Sequence, residues 1–304
     1  MRKTSKITVK GRELDVSNVE KVFYPKTGFT KGEVINYYIN IASWLLPHLK
    51  NRPLTMKRYP DGVEGKYFYE KQCPSHKPVW VKTIKVKKTE GSIDYCVINS
   101  LSALVWTSNL ANLELHTFLH VAPAVEKPRA VAFDLDPGEP ANILDCCVVA
   151  LRLKALFDKL KRECFPKTSG SKGLQIYLPL NSPVSYTQTK EFARQVAQAM
   201  AERYPKSVVA RMEKKLRAGK VFIDWSQNDA HKTTVNVYSL RAKEFPSVST
   251  PLTWKEVTLA TKSRNADSLF FGPDEVLQRV KKMGDLFERV LSMKQKLPKI
   301  QDLA

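Results

Sequence analysis

The stretch Val131-Ala132-Phe133-Asp134-Leu135-Asp136-Pro137-Gly138 constrains this chain more than any other. A period of two places Val131, Phe133 and Leu135 on the buried face of a strand and throws Asp134 and Asp136 together onto the other. Pro137-Gly138 ends the strand just past the second carboxylate. Carboxylates on neighbouring same-face positions repel, so a fold that keeps them there calls for a cation, most simply Mg²⁺ or Mn²⁺ through oxygen ligands. The plainer reading is a strand entering a turn, where Asp and Pro-Gly are ordinary punctuation.

At 304 residues the chain is long enough for two domains or one large bilobal unit. Lys and Arg number 50 against 30 Asp and Glu, a formal charge of +20. Such an excess favours a polyanionic partner, nucleic acid or nucleotide, although solubility alone would also tolerate it. Cys73, Cys96, Cys146, Cys147 and Cys164 are odd in number and contain no Cys-X-X-Cys, which suggests neither a disulfide framework nor a zinc knuckle. The polar N-terminus and the absence of a long apolar run predict a soluble cytoplasmic protein, associated with the nucleoid and not with a membrane.

Along the chain, Ile7 to Val16 reads as a hairpin turned at Lys10-Gly11. Thr30-Lys31-Gly32-Glu33 is a capping box opening a helix that ends before Pro47. Lys21 and Lys31 then flank a helix N-terminus, whose free backbone N–H groups suit a phosphate; two solvated lysines are the alternative. Lys57 and Arg58, followed by Lys66-Tyr67-Phe68-Tyr69-Glu70-Lys71, interleave cations with aromatics as unpaired bases require, and as amphipathic strands also do. Trp80 to Lys88 and Asp94 to Leu101 are short strand candidates, and Ser102 to Leu115 reads as a helix that delivers His116 to its end.

A helix to about Arg162 follows the Asp-X-Asp strand, and Ser185 to about Arg203 is another. Between them Lys167-Thr168-Ser169-Gly170-Ser171-Lys172-Gly173 leads into the strand Leu174 to Leu178. Its glycines would let the backbone approach a ligand, with Ser169 and Lys172 offering a donor and a cation to phosphate oxygens. A glycine turn between elements is the alternative, and the P-loop pattern is absent. Lys214-Lys215-Leu216-Arg217-Ala218-Gly219-Lys220 enters the strand Val221 to Trp225, where the lone acid Asp224 is costly unless paired or metal-bound. Gln227, Asn228 and Arg241 follow closely, and the last third reads as helix-rich, with one helix from about Asp274 to Met293. Two divalent ions held by Asp134, Asp136 and Asp224 could activate a hydroxyl and stabilise a leaving pyrophosphate.

In order along the chain, Asp134-Leu135-Asp136-Pro137-Gly138, Thr168-Ser169-Gly170-Ser171-Lys172-Gly173-Leu174 and Leu216-Arg217-Ala218-Gly219-Lys220-Val221-Phe222-Ile223-Asp224-Trp225-Ser226-Gln227-Asn228 resemble the motifs of the archaeo-eukaryotic primase superfamily. The closest likeness is to the polymerase domain of the bacterial end-joining enzyme ligase D and its stand-alone relatives. Lys21-Val22-Phe23-Tyr24-Pro25, Thr30-Lys31, Phe68-Tyr69-Glu70-Lys71-Gln72, Leu113-Glu114-Leu115-His116 and Tyr238-Ser239-Leu240-Arg241 extend the resemblance over most of the chain.

The resemblance implies an α/β primase-like fold of two interlocked lobes with an RRM-like catalytic sheet. It implies one bilobal catalytic unit over residues 1–304: a DNA-binding part to about 120, catalytic motifs over about 130–245 and a helical part over about 254–304. The implied activity is template-dependent nucleotidyl transfer that fills gaps and extends ends in non-homologous end joining, with a preference for ribonucleotides. By motif, Asp134, Asp136 and Asp224 would hold two Mn²⁺ or Mg²⁺ ions. Ser169, Lys172 and Arg241 would hold the triphosphate, with His116, Gln175 and Gln227 nearby. Arg58, Phe68, Tyr69 and Arg217 would bind DNA, Phe68 and Tyr69 by stacking on the template, and Lys21 and Lys31 would take a downstream 5′-phosphate. The implied partners are gapped or 3′-overhanging DNA, nucleoside triphosphates, a separate DNA ligase and a Ku-like end-binding protein. Gln175 departs from the family pattern, which has His there, and Val237 stands where Pro is usual. A non-catalytic nucleic-acid module and a metal-dependent nuclease are the alternatives.

Overall fold

The computed structural model describes residues 4–87 and 90–299. Strands β1 (Thr4–Val9) and β2 (Arg12–Ser17) form the expected hairpin, with Lys10 and Gly11 both at positive φ. A ribbon of β3 (Val22–Tyr24) and β4 (Phe29–Thr30) leads into α1 (Lys31–Leu49). Then come β5 (Pro53–Arg58), β6 (Phe68–Glu70), β7 (Lys82–Lys87), β8 (Ser92–Val97), α2 (Leu101–Asn109) and β9 (Asn112–Thr117). The central run is β10 (Ala130–Pro137), α3 (Ile143–Lys159), β11 (Phe165–Thr168), β12 (Leu174–Pro179), α4 (Tyr186–Arg203), β13 (Val208–Val209) and β14 (Val221–Asp224). Short strands β15 (Thr234–Val235), β16 (Leu240–Arg241) and β17 (Ser247–Val248) precede α5 (Trp254–Ser263), α6 (Pro273–Met283) and α7 (Glu288–Ser292).

Two sheets carry the architecture. One runs β11-β12-β10-β14-β13, antiparallel except for β13 beside β14; the other runs β15-β9-β5-β8-β7, with β6 also paired to β5. The alternation of β10 decides how they are joined. Val131, Phe133 and Leu135 pack with α3 and α4 in one core, whereas Ala130 and Ala132 belong to the core built on α1, α2 and the second sheet. Asn228 clamps this shared strand: its side chain accepts from the Ala132 N–H at 2.9 Å and donates to the Ala132 carbonyl at 2.7 Å.

Several local expectations are corrected. Helix α1 continues through Pro47 to Leu49, because a proline in the last turn removes one bond and leaves the preceding turns intact. The helix expected over Ser102 to Leu115 stops at Asn109, and Ala111 takes positive φ where the chain turns into β9, so His116 stands on a strand. The helix expected from Asp274 to Met293 is two, broken at Gly284, which also has positive φ. Cys73 and Cys96 form a disulfide, with Cα atoms 4.9 Å apart, contrary to the reading of the cysteine count; the other three cysteines are free and buried. An odd total does not prevent one pair from meeting across β8 and its neighbouring loop. Lys88, residues 1–3 of the DNA-binding part and residues 300–304 of the helical part lie outside the described residues. Among the described residues no helix is long and apolar enough to cross a membrane.

The glycines of the Asp-Pro-Gly and Ser-Gly-X-Lys-Gly motifs permit close chain-on-chain contact in this structure. A Cβ on Gly173 would overlap the Leu135 carbonyl oxygen, and one on Gly138 would overlap the Arg217 backbone. Gly173→Ala is therefore expected to push the turn away from β10 and cost about 2 kcal/mol or more, in the range of overpacking elsewhere. Denaturant unfolding measures this, and an unchanged midpoint would show that the turn is not seated on β10.

Candidate active site

Pairing of β10 with β12 and β14 places Asp134 opposite both Gln175 and Asp224, with Asp136 two residues along the same face. Three acidic positions thus occupy adjacent places on one sheet face. Loss of water, then repulsion by Asp136 and Asp224, pushes the Asp134 carboxyl up to about 7, against a Gln175 hydrogen bond and the Lys167 charge. Asp136 is also pushed up, by desolvation and by Asp224, with Arg217 and Arg241 opposing. Asp224 has protein donors: Oδ1 accepts from the Ser226 N–H at 2.9 Å and hydroxyl at 2.6 Å, and Oδ2 accepts from Gln227 Nε2 at 3.0 Å. Asp134 Oδ1, in contrast, is buried without a partner.

An orphaned carboxylate oxygen beside two further acids marks a place short of positive charge. The donors are all oxygen, which suits a hard divalent cation. Among the described residues no three His, Cys, Asp or Glu side chains already form a cation cage. The fit to a metal therefore rests on donor chemistry and charge.

Lys167, missed in the sequence, supplies some compensation from the same sheet face, two strands away. It lies on β11 opposite Gln175, is fully buried, and donates to Ser249 Oγ at 2.6 Å. Burial pulls its pKa down to about 7 against the attraction of Asp134. Its only sequence signal is its place immediately before Thr168-Ser169-Gly170. Gln175 is also buried, and its Oε1 has no partner.

Beside the acids, the Ser169 turn closes on itself: Ser169 Oγ accepts from the N–H groups of Ser171 and Gly173, both at 3.2 Å. Both lone pairs are then used, which leaves the hydroxyl proton as the remaining group to offer a ligand. Arg241 Nη1 donates to the Ser169 carbonyl and ties the turn to β16. Lys172 is exposed and pairs with Glu139 at 2.9 Å, so its ammonium is tethered only loosely. Arg217 stacks 3.8 Å from the Phe222 ring centre and donates to the Met212 carbonyl at 2.7 Å.

A second charged cluster centres on Glu114. In β9, Leu113 and Leu115 are buried in the core and Glu114 and His116 share the opposite face, where Glu114 lies across from Lys57 of β5. Glu114 Oε2 is 2.9 Å from His116 Nε2; Oε1 is 3.6 Å from Lys57 Nζ and accepts from the Ala242 N–H at 3.0 Å. Arg241 Nε is 3.3 Å from Oε2, within ion-pair range but off the hydrogen-bonding direction. Burial alone would raise the Glu114 carboxyl, yet the His116 hydrogen bond, Arg241 and Lys57 hold it well below the usual carboxylate range. Burial lowers His116 despite the pull of Glu114.

Phe68 and Tyr69 are both exposed, but consecutive strand positions send them to opposite faces. Tyr69 meets His116 edge-on at 5.9 Å, and Lys57 lies 5.5 Å from its ring centre; Phe68 lies under Arg58 at 5.1 Å. The structure therefore does not bring these two rings together. Arg58 is itself held by Glu70 at 2.7 Å and by the Leu110 carbonyl at 2.6 Å.

Lys21 and Lys31 do share a pocket, of about 510 Å³, with Asn18, Arg58 and His76. The expectation of free N–H groups at the start of α1 is corrected. Lys31 N donates to Lys21 O at 2.8 Å, Gly32 N to Val19 O at 2.8 Å and Glu33 N to Thr30 Oγ1 at 3.2 Å. The capping box expected from the sequence is what occupies the last of these. Lys21 Nζ also meets the Pro60 carbonyl and Asp61, each at 2.7 Å, and Lys31 Nζ meets Ser17 O at 2.6 Å and Asn109 Oδ1 at 2.8 Å.

Comparison with known proteins matches these observations to one group. A family profile described as "LigD, primase-polymerase domain" covers residues 30–287. The chain is 42% identical over 273 residues to the multifunctional non-homologous end joining protein LigD of Mycolicibacterium smegmatis, covering 89% of this chain and 35% of that protein. It is 31% identical to the bifunctional LigD of Bacillus subtilis, covering 90% of this chain and 43% of that one. The chain thus spans about a third to two fifths of the length of these relatives. The solved polymerase domain of Mycobacterium tuberculosis ligase D in complex with DNA superposes with a TM-score of 0.85 at 37% identity, over 93% of this chain and 99% of that one.

The carboxylate cluster has a pH signature. Asp134 has its folded pKa above its unfolded value of about 3.9, so the native state binds the proton more tightly and this group lowers stability as pH rises from about 4 to about 7. Asp134→Asn is expected to be more stable than wild type at pH 8 by about 1–3 kcal/mol, with the difference vanishing near pH 4. Mn²⁺ should raise the melting temperature of wild type more than that of the variant. Equal stabilities at pH 8 would contradict the repulsion.

Proposed function

The chain belongs to the LigD primase-polymerase domain family, a family of nucleotidyltransferases, and on that premise we propose that it adds nucleotides to a DNA 3′ end under the direction of a template, filling gaps and extending ends in non-homologous end joining. The observation that carries this reading is the face shared by Asp134, Asp136 and Asp224, set beside the turn where Arg241 meets Ser169. We read the β10–β14 sheet as the RRM-like catalytic sheet of an archaeo-eukaryotic primase fold, in one bilobal unit with the sheet of β5 and β9.

In this proposal Asp134, Asp136 and Asp224 hold two divalent cations, Mn²⁺ or Mg²⁺, which when bound neutralise the triphosphate and activate the 3′ hydroxyl. The chain's own groups position the substrate. The Ser169 hydroxyl proton and the Arg241 guanidinium address the triphosphate, and Lys172 exchanges Glu139 for a phosphate oxygen. Gln227 orients Asp224, Gln175 orients Asp134, and His116, kept neutral by burial, lies toward the sugar. Tyr69, on the side of His116, stacks near the new base pair, whereas Phe68 and Arg58 meet DNA on the other face; Arg217 meets it beside Phe222. Ribonucleotide preference, a separate ligase and a Ku-like partner belong to the same proposal.

Incubation of the protein with Mn²⁺, nucleotides and a labelled primer-template tests it: extension is expected, whereas shortening or a gel shift alone would refute polymerisation. Asp134→Ala, Asp136→Ala and Asp224→Ala should each abolish extension and leave DNA affinity within about twofold, because phosphate contacts elsewhere anchor DNA. Robust extension by any of the three would remove that residue from the metal set.

The pocket of Lys21 and Lys31 is proposed to take the 5′-phosphate at the far side of a gap, through ammonium groups and not through helix amides. Wild type should prefer a phosphorylated gap to a hydroxyl-ended one. Lys21→Ala with Lys31→Ala should lower affinity for the phosphorylated gap more than tenfold, since each charge-assisted bond contributes about 1.5–3 kcal/mol. Equal binding of both gaps by wild type would reduce the lysines to general basic surface.

A further inference from the structure

We propose that Glu114 is the positioning residue of the nucleotide site: one buried carboxylate that gathers Lys57, His116 and Arg241 from three strands into the cationic array that meets the triphosphate. The inference rests on the polymerase reading above and assigns a role that this reading leaves open. Lys57 and Arg241 are cations on separate strands, β5 and β16, and without a shared counter-charge they would repel. Glu114 is 1% exposed, and its two oxygens are taken by His116, Lys57, Arg241 and the Ala242 N–H. It therefore has no face to offer a substrate and acts through its partners.

The surroundings argue against a purely structural ion pair, for which one cation would suffice. Each partner reaches on beyond Glu114: Arg241 to the Ser169 carbonyl, His116 to the exposed Tyr69, and Lys57 to the exposed rings of Tyr67 and Tyr69 at 4.3 and 5.5 Å. Side-chain hydroxyls bonded to the backbone fix the registry between the strands. Ser239 Oγ accepts from Leu115 N at 2.8 Å, and Tyr38 Oη joins Leu113 O to Leu240 N at 2.6 and 3.1 Å. With His116 neutral, two cations against one carboxylate leave the array net positive. A highly charged anion can then bind without first having to pull dispersed side chains together.

The test compares wild type, Glu114→Gln, Glu114→Asp, Lys57→Met and the Glu114→Gln, Lys57→Met double variant by steady-state extension with Mn²⁺, by calorimetric binding of a nucleoside triphosphate, by DNA binding and by thermal melting. Glu114→Gln keeps shape and loses charge; its nucleotide KM is expected to rise about tenfold or more, with kcat within about threefold and DNA affinity unchanged. The double variant should be no worse than the poorer single, because the two groups act as a unit. An unchanged KM, or a fall in kcat and melting temperature at unchanged KM, would overturn the assignment in favour of a structural role. Strictly additive effects would do the same. If Glu114→Gln does not fold, Glu114→Asp decides: a raised KM at wild-type melting temperature supports the assignment, and an unchanged KM overturns it. Wild type that neither extends primers nor binds the triphosphate would instead refute the polymerase reading, and this inference with it.

Discussion

Repulsion among Asp134, Asp136 and Asp224 is the constraint around which the rest of the structure is arranged. Nothing in folding favours three acids on adjacent strand positions, and the chain counters the cost without removing it. Gln175 lies across from Asp134, Lys167 lies beyond Gln175 on the same face, and Ser226 and Gln227 occupy Asp224. Asn228 and the Gly173 and Gly138 contacts then hold the strand ends where repulsion would part them. A fold that keeps one carboxylate oxygen buried and unpaired retains a local electrostatic deficit, of the kind that a site prepared for cations carries.

Around Glu114 the problem has the opposite sign. The Glu114 cluster collects cations around a single acid, and Arg241 belongs to both neighbourhoods, acting on Asp136 and Glu114 alike. Its backbone is placed by Tyr24, whose hydroxyl donates to the Arg241 carbonyl at 2.8 Å, and by the Tyr38 and Ser239 bonds around Leu240. The acidic and basic clusters are thus linked through Arg241 of the short strand β16.

Much of this was legible in the sequence because it is local. The alternation around Asp134, the capping box at Thr30 and the hairpin at Lys10-Gly11 each depend on neighbours within a few residues. What could not be read is long-range. The disulfide joins Cys73 to Cys96, the Glu114 cluster joins β5, β9 and β16, and Lys167 is recognisable only once Ser249 and Asp134 are seen beside it. Ser102 to Leu115 misled because an apolar run with Glu114 and His116 at its end fits a helix and a strand equally well, and the break at Ala111 rests on a positive φ for a residue that rarely adopts it. The family resemblance named the site residues, but only the fold parts Phe68 from Tyr69 and shows the amides at the start of α1 to be already bonded.

The central claim is that the three acids form a cation site serving the triphosphate beside Ser169 and Arg241. Anomalous diffraction at the manganese edge, from crystals soaked with Mn²⁺ and a non-hydrolysable nucleoside triphosphate, tests it most directly. The account predicts anomalous peaks between Asp134, Asp136 and Asp224, with the triphosphate against Ser169 and Arg241. Manganese bound elsewhere, or a nucleotide seated away from β10 with no peak at these carboxylates, would contradict it.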